Sequence, residues 1–476
     1  MLLDAILAHE GREVLAYYTP GHKNGRAMDP AFRDAYLRHP LAFDLGYMGA
    51  FDDLHAPKTI IAEAERAAAR LYGAAASFLL TNGSTGGIVA MLLATLGPGD
   101  TVILPRNVHR CVMTALILGD FLPAFVDVEV EPSTGLPLPL RLCDVPADSW
   151  ERARALLVMS PTYHGLAGDL PALAAAARRR GLSFLVDEAH GAHLPFAAGL
   201  PGSALDGGAH AAVQSTHKTL QALTPGAMLH LAADGPDPRR FRQALSMTQT
   251  SSADYAVLAS LEASVRHMAG QGREQLRDAV QAVGAVRRAL KDVRGIALPS
   301  PGRALPTGVS GVDPTKLVID FRAAGLSGHQ AARLLFEEEA IAAELSTDAF
   351  VLLIVTAADT PASLAELTRR LAAFAQRHAA ARAPLDAHVS PAPRLAAALG
   401  ASPREAFFRP QIRVSWSAAA GRIAAEPITP YPPGVPAIWP GERFDSDPGL
   451  FRNWVLRSGA SIQASDSSLE TVAVVA

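Results

Sequence analysis

Three short stretches hold residue types that could do chemistry. The first is Thr81-Asn82-Gly83-Ser84-Thr85-Gly86-Gly87. Glycine lets a backbone approach a ligand closely, and free N–H groups at the start of a helix attract an anion, with Ser84 and Thr85 adding hydroxyl donors. The second is Val186-Asp187-Glu188-Ala189-His190, whose Asp-x-x-His spacing brings a carboxylate and an imidazole to one strand end. The third is Gln214-Ser215-Thr216-His217-Lys218, flanked by Ala211-Ala212-Val213 and Leu220. A lysine desolvated by apolar flanks presents a neutral amine that can attack a carbonyl. Taken singly, each stretch has a plain structural reading as well: a tight turn, a helix cap, a solvated surface amine.

The elements that must position these residues alternate. Strand patterns at 76–80, 101–104, 123–128, 154–159 and 182–186 are separated by helical patterns at 88–96, 112–118 and 170–180. That alternation predicts an α/β fold, a mostly parallel sheet with helices on both faces and ligands at the carboxyl ends of the strands. All three stretches fall at such ends. An anion cradle, an acid and then a lysine on one sheet make the set required by pyridoxal 5'-phosphate. The cradle takes the phosphate, the acid keeps the pyridine nitrogen protonated and the lysine takes the aldehyde. A dinucleotide fingerprint of the type Gly-x-Gly-x-x-Gly is missing from the first strand–helix turn, as is a Walker A loop.

With these residues in order, the chain resembles the bacterial-type Orn/Lys/Arg decarboxylases, fold-type-I pyridoxal-phosphate enzymes, in their short form without an N-terminal wing domain. The resemblance runs from about Tyr17 to Arg443. It rests on Pro20-Gly21-His22-Lys23, Asp52-Asp53-Leu54-His55, Asn82-Gly83-Ser84-Thr85, Arg106-Asn107-Val108-His109, Asp187-Glu188-Ala189-His190-Gly191 and Ser215-Thr216-His217-Lys218. Asp313-Pro314-Thr315-Lys316 and Pro430-Tyr431-Pro432-Pro433-Gly434 extend it. It implies that Lys218 forms the imine with the cofactor, that Asp187 partners the pyridinium and that His109 stacks on the ring. Gly83, Ser84, Thr85, Ser215 and His217 correspond to phosphate binders, and His190 and Thr162 to positions near the ring. The implied reaction is decarboxylation of a basic amino acid, with arginine to agmatine in polyamine biosynthesis first and lysine or ornithine next. Two positions depart from the family pattern. Thr224-Pro225-Gly226-Ala227 replaces a Gln-Ser-Ser or Gln-Ala-Ser type segment, and His164 follows Tyr163 where Tyr or Asp is usual. An aminotransferase, with Arg413 on the α-carboxylate, or a carbon–carbon lyase is the alternative enzyme, and a cofactor-binding regulatory protein the non-enzymatic one.

A dibasic substrate needs an acid for its distal cation, and Asp52, Asp53, Glu344 and Glu426 are the candidates. The fold implies a homodimer or higher oligomer with shared active sites, so the N-terminal arm could reach a neighbouring subunit. The 476 residues are 49% hydrophobic and 19% charged, which excludes a mainly disordered chain. A net charge of −3 carries no nucleic-acid footprint, and two cysteines, Cys111 and Cys143, exclude a disulfide scaffold and fit a cytoplasmic setting. Neither a secretory leader nor a membrane span is expected, and no metal site. Four segments are expected: an N-terminal helix and arm over 1–60, a large cofactor-binding domain over 61–300, a small C-terminal α+β domain over 301–445 and a loosely held tail over 446–476.

Overall fold

A computed structural model describes the chain except for residues 11–12, 47–48, 132–134, 300–304, 387–394, 432–433, 446 and 459–460. The linker residues Ser300-Pro301-Gly302 and the motif residues Pro432-Pro433 thus lie outside the described residues. The centre is a seven-stranded sheet made of β1 (Ala76–Leu80), β2 (Thr101–Pro105), β3 (Leu122–Val126), β4 (Ala153–Met159), β5 (Ser183–Asp187), β6 (Ala211–Gln214) and β7 (Ala227–Leu231). Its order is β1-β7-β6-β5-β4-β2-β3, and β7 alone in this sheet runs against the others. Asp187 pairs with Met159 on one side and Val213 on the other, so the ends of β4, β5 and β6 are level.

These strands read as near-continuous apolar runs because both faces are covered. Leu80, Leu104, Leu157, Leu185 and Val213 face helices α2 (Gly83–Thr95), α3 (Cys111–Gly119) and Pro238–Thr248. Ile103, Leu156, Val158, Phe184, Val186 and Ala212 face the helix Leu170–Arg178. Side chains alternating across the sheet produce this division. Helix α2 starts at Gly83, five residues before the apolar periodicity begins at Ile88. The glycines carry no periodicity signal, so the pattern alone places the start too late. Two further helices, Tyr255–Ala269 and Gly272–Leu290, are parted at the glycines 270 and 272.

A second core surrounds the antiparallel strands Lys316–Ile319, Val351–Ile354 and Leu345–Ser346, covered by Gly272–Leu290 and Pro361–Ala381. It therefore recruits a helix from before residue 300. A third cluster holds Leu395, Trp416, Ile428, Ile438 and Phe444 together with residues near the C-terminus. The segment 446–476, expected to be loosely held, is corrected by this packing. Helix Pro448–Ser458 buries Phe451 and Val455, and strand Thr471–Val475 pairs antiparallel with Gln411–Ser415, burying Val472 and Val474. Its polar start hid an apolar strand at the end. Phe451 is 1% exposed between Trp416 and Trp454, while Leu456 on the same helix is 56% exposed. Phe451→Ala is expected to cost about 3–5 kcal/mol and Leu456→Ala less than about 0.5 kcal/mol. Denaturant melts of the two variants check this.

Candidate active site

The carboxyl ends of the sheet open into a cavity of about 550 Å³, within the range of small-molecule and cofactor sites. Its floor is built from the first turn of α2, from Asp187 at the end of β5 and from the helical turn Thr216–Thr219 that follows β6. Gly83 takes a left-handed φ of +70°, which turns the chain sharply off β1 and into α2. The first N–H groups of that helix have no partner within it, so they and the Ser84 and Thr85 side chains face the cavity as donors. Ser215 Oγ–H donates to Ser84 Oγ at 2.8 Å, joining the two hydroxyl-bearing turns.

Lys218 is half-buried, and desolvation pushes its amine down from the ordinary lysine value, opposed by Asp187 and then Glu344. Burial likewise pushes Asp187 up, opposed by the Lys218 cation and by the Ala189 N–H, which donates to Asp187 Oδ1 at 3.0 Å. Lys218 Nζ lies 3.1 Å from His190 Nε2. Burial and the nearby Lys218 charge hold His190 well below the usual imidazole range, so the ring is neutral and its Nε2 accepts from the amine. His190 Nδ1 is buried with no hydrogen-bond partner among the described residues. The ring edge of Tyr163 packs on His190 at 4.9 Å. His109 lines the same cavity, neutral because burial and then Lys218 hold it at about 4, with Nδ1 accepting from Cys111 N–H at 3.2 Å. His217 is similarly held at about 4 by burial, and its Nδ1–H donates to Gly226 O at 2.9 Å.

Gly83, Ser84, Thr85, His109, Asp187, His190, Ser215, His217, Lys218 and Glu344 all line this one cavity. Four expected residues do not. Thr162 is buried behind it, where its hydroxyl accepts from Leu166 N–H at 3.1 Å. Asp53 accepts from His55 N–H at 2.8 Å, and neighbouring Asp52 caps the helix Ile60–Tyr72 through Lys58, Thr59 and Ile61 N–H groups. Glu426 accepts from Ser465 and Ala473 N–H groups, pinning the C-terminal strand. In each case the carboxylate or hydroxyl is spent on backbone N–H donors, local ones for Thr162, Asp52 and Asp53 and distant ones for Glu426. Arg413 donates to Thr471 Oγ1 at 2.9 Å in that same C-terminal cluster, away from the cavity lining. Tyr18, Thr19, Cys111, Tyr163 and Tyr431 line the cavity without having been singled out for it. Thr19 and Tyr431 sit beside or inside matched motifs, the one signal that could have found them.

Glu344 is the acid that reaches the cavity, its Oε2 accepting from Thr19 N–H at 2.8 Å. The donor set fits pyridoxal phosphate: hydroxyls and a helix N-terminus for the phosphate, a buried carboxylate for the ring nitrogen, a flat neutral imidazole and a desolvated amine. The unpartnered His190 Nδ1 is a further polar atom left over for a ligand.

Behind the sheet a buried polar chain links the strand ends. Glu188 accepts from Ala204 N–H at 2.7 Å and from Gln214 Nε2 at 2.7 Å. Gln214 Oε1 accepts from His230 Nε2–H at 3.1 Å, and Ser77 Oγ–H donates to His230 Nδ1 at 2.7 Å. The chain ties the residue after Asp187 to the residue before Ser215. Burial pushes the Glu188 carboxyl up to about 8 from its ordinary 4.5. A proton bound more tightly in the folded than in the unfolded chain makes stability fall as pH rises between the two values. Relative to Glu188→Gln, the unfolding free energy of the wild type should therefore decline from about pH 5 to about pH 8 and level off above. Urea titrations across that range test this, and parallel curves would contradict it.

The chain matches the family description Orn/Lys/Arg decarboxylase, major domain, over residues 2–301, and the C-terminal domain of the same family over residues 393–458. An arginine decarboxylase of Bacillus anthracis is 34% identical over 480 residues, covering 100% of this chain and 97% of that protein. An arginine decarboxylase of Bacillus subtilis is 33% identical over 479 residues with the same coverage. The crystal structure of a Francisella novicida lysine decarboxylase superposes with a TM-score of 0.74 at 17% identity, covering 99% of this chain and 80% of that one. A structure described as SPT with PLP superposes with a TM-score of 0.57 at 20% identity, covering 78% of this chain and 89% of that one.

Proposed function

This chain belongs to the Orn/Lys/Arg decarboxylase family, and from that premise we propose that it converts arginine to agmatine and carbon dioxide. It is a pyridoxal-phosphate-dependent amino acid decarboxylase. The observation that carries the substrate reading is one cavity holding a desolvated Lys218, a buried Asp187 and the carboxylate of Glu344. The Bacillus anthracis and Bacillus subtilis relatives, matched over their whole length, are arginine decarboxylases, which supports arginine over lysine and ornithine.

Lys218 is the amine through which the cofactor is held, and burial keeps that amine available. Asp187 would hold a proton at the cofactor's ring nitrogen, and the bound cofactor would then supply the sink for the electrons left at Cα. His109 would offer it a neutral imidazole, and the Gly83–Thr85 turn and Ser215 would hold its phosphate. Glu344, fixed by Thr19 N–H, takes the guanidinium in a charge-assisted pair. The apolar walls Ile88, Met159, Ala189 and Leu345 exclude water and leave a substrate carboxylate poorly solvated, which favours its loss. Lys218 Nζ and His190 Nε2, 3.1 Å apart, are placed to exchange a proton and return it to Cα.

The assembly is a homodimer or higher homo-oligomer with shared sites, in the cytoplasm. Leu2, Leu3, Ile6 and Leu7 of the N-terminal helix are each more than half exposed, which supports a covering neighbour. No described helix is long and apolar enough to cross a membrane.

Incubation of the purified protein and pyridoxal phosphate with arginine, lysine or ornithine separately is expected to yield agmatine from arginine as the dominant amine. Cadaverine or putrescine as the main product would reassign the substrate. Lys218→Ala is expected to lose both turnover and the visible absorption band. Glu344→Gln is expected to raise the KM for arginine roughly 10- to 100-fold with a small change in kcat, the size of a lost charge-assisted contact made equally in ground and transition states. Steady-state kinetics decide it.

A further inference from the structure

The motif Pro20-Gly21-His22-Lys23 takes no part in the chemistry above, yet its backbone lies against the turn that carries Lys218. Gly21 N–H donates to His217 O at 2.7 Å. A Cβ at Gly21 would stand 2.5 Å from Leu220 O and 3.0 Å from Lys218 O, so any larger residue must push that turn away. On its other side the motif is anchored in the second core. Thr356 Oγ1–H donates to Gly21 O at 2.8 Å. Lys23, with its side chain fully buried, pairs with Asp359 Oδ2 at 2.7 Å and donates to Ile354 O at 2.7 Å, 4.4 Å above the Tyr17 ring. Asp359 in turn accepts from Thr356 N–H at 2.8 Å. Two residues before Gly21, Thr19 N–H holds Glu344.

Five consecutive residues thus touch the turn of the cofactor lysine, the acid assigned to the substrate's distal cation and the strand end at 354–359. A buried ion pair is weak evidence for stability, since desolvation offsets most of the attraction. Its geometric demand is strong, because both charges must keep their partners. We propose that Thr19–Lys23 is a positioning strap that sets where Lys218 stands relative to Glu344, and so matches the reacting and distal ends of the cavity to one length of substrate. The inference rests on the roles given above to Lys218 and Glu344. Relieving the overlap at Gly21 would shift the Lys218 turn by about 1 Å, a displacement that can cost on the order of 10²-fold in rate.

The test uses the holoenzyme. Gly21→Ala is expected to lower kcat for arginine about 10²-fold with KM changed less than about threefold, and to move the pH midpoint of the visible cofactor band. Thr356→Val removes the hydroxyl that holds Gly21 without adding bulk, and is expected to shift both readouts the same way, with a loss of about 10-fold. It serves if Gly21→Ala does not fold. Wild-type kcat and band midpoint in Thr356→Val and in any folded Gly21→Ala would overturn the strap. So would losses that disappear at a temperature where the variants are fully folded, with the band midpoint unmoved. Lys218→Ala separates the two readings: if it keeps the band and turnover, the functional assignment fails, and if it loses both while the strap variants match the wild type, the strap alone fails.

Discussion

The rest of the structure depends on keeping water away from one amine. Lys218 follows β6 with its side chain half-buried, and that desolvation weakens the hold on its proton. The cost is contained by placing a carboxylate, Asp187, at the level end of the adjacent strand, where each charge moderates the other's desolvation. The surrounding imidazoles add no positive charge, because burial holds His109 and His217 at about 4 and His190 lower than its usual range. A lysine–carboxylate pair in neutral surroundings, beside a helix N-terminus, leaves the region receptive to an anionic cofactor.

Few of the groups around that pair are close in sequence. The floor comes from three turns of the central sheet. One wall comes from the arm through Tyr18 and Thr19, another from Glu344 beyond the second core, and a third from Tyr431 in the C-terminal cluster. Arg110 N–H donates to Gly434 O at 3.0 Å, so the C-terminal cluster also steadies the segment bearing His109. The cavity around Lys218 is complete only when these distant segments have packed together.

Much of the central sheet was legible because its signals are local. Apolar runs of strand length such as Phe184–Val186 and turn residues at their ends need no tertiary information, and the rule that ligands meet the carboxyl ends of parallel strands placed Lys218, Asp187 and the Gly83 turn on one rim. The start of α2 was missed because glycines at 83, 86 and 87 look like a loop, while in the helix Gly87 packs closely against Leu80 and Val213. The C-terminal strand was missed because its partner, Gln411–Ser415, lies far away in sequence. Among the acids, Glu344 was indistinguishable by type from Asp53 and Glu426. Backbone donors near Asp53 and Glu426 absorb their carboxylates, whereas among the described residues the one donor to Glu344 comes from the arm and leaves the acid in the cavity.

By itself, the order of residues determined the chemistry available: an amine, an acid and an anion cradle at the ends of apolar strands, since residue type and local periodicity are both written along the chain. The tertiary structure decided which carboxylates are spent on backbone N–H groups and which remains for a ligand. It also decided how closely Gly21 approaches the Lys218 turn and how neutral the buried histidines are. Those properties depend on distance and desolvation between segments hundreds of residues apart, and neither quantity exists until the cores close.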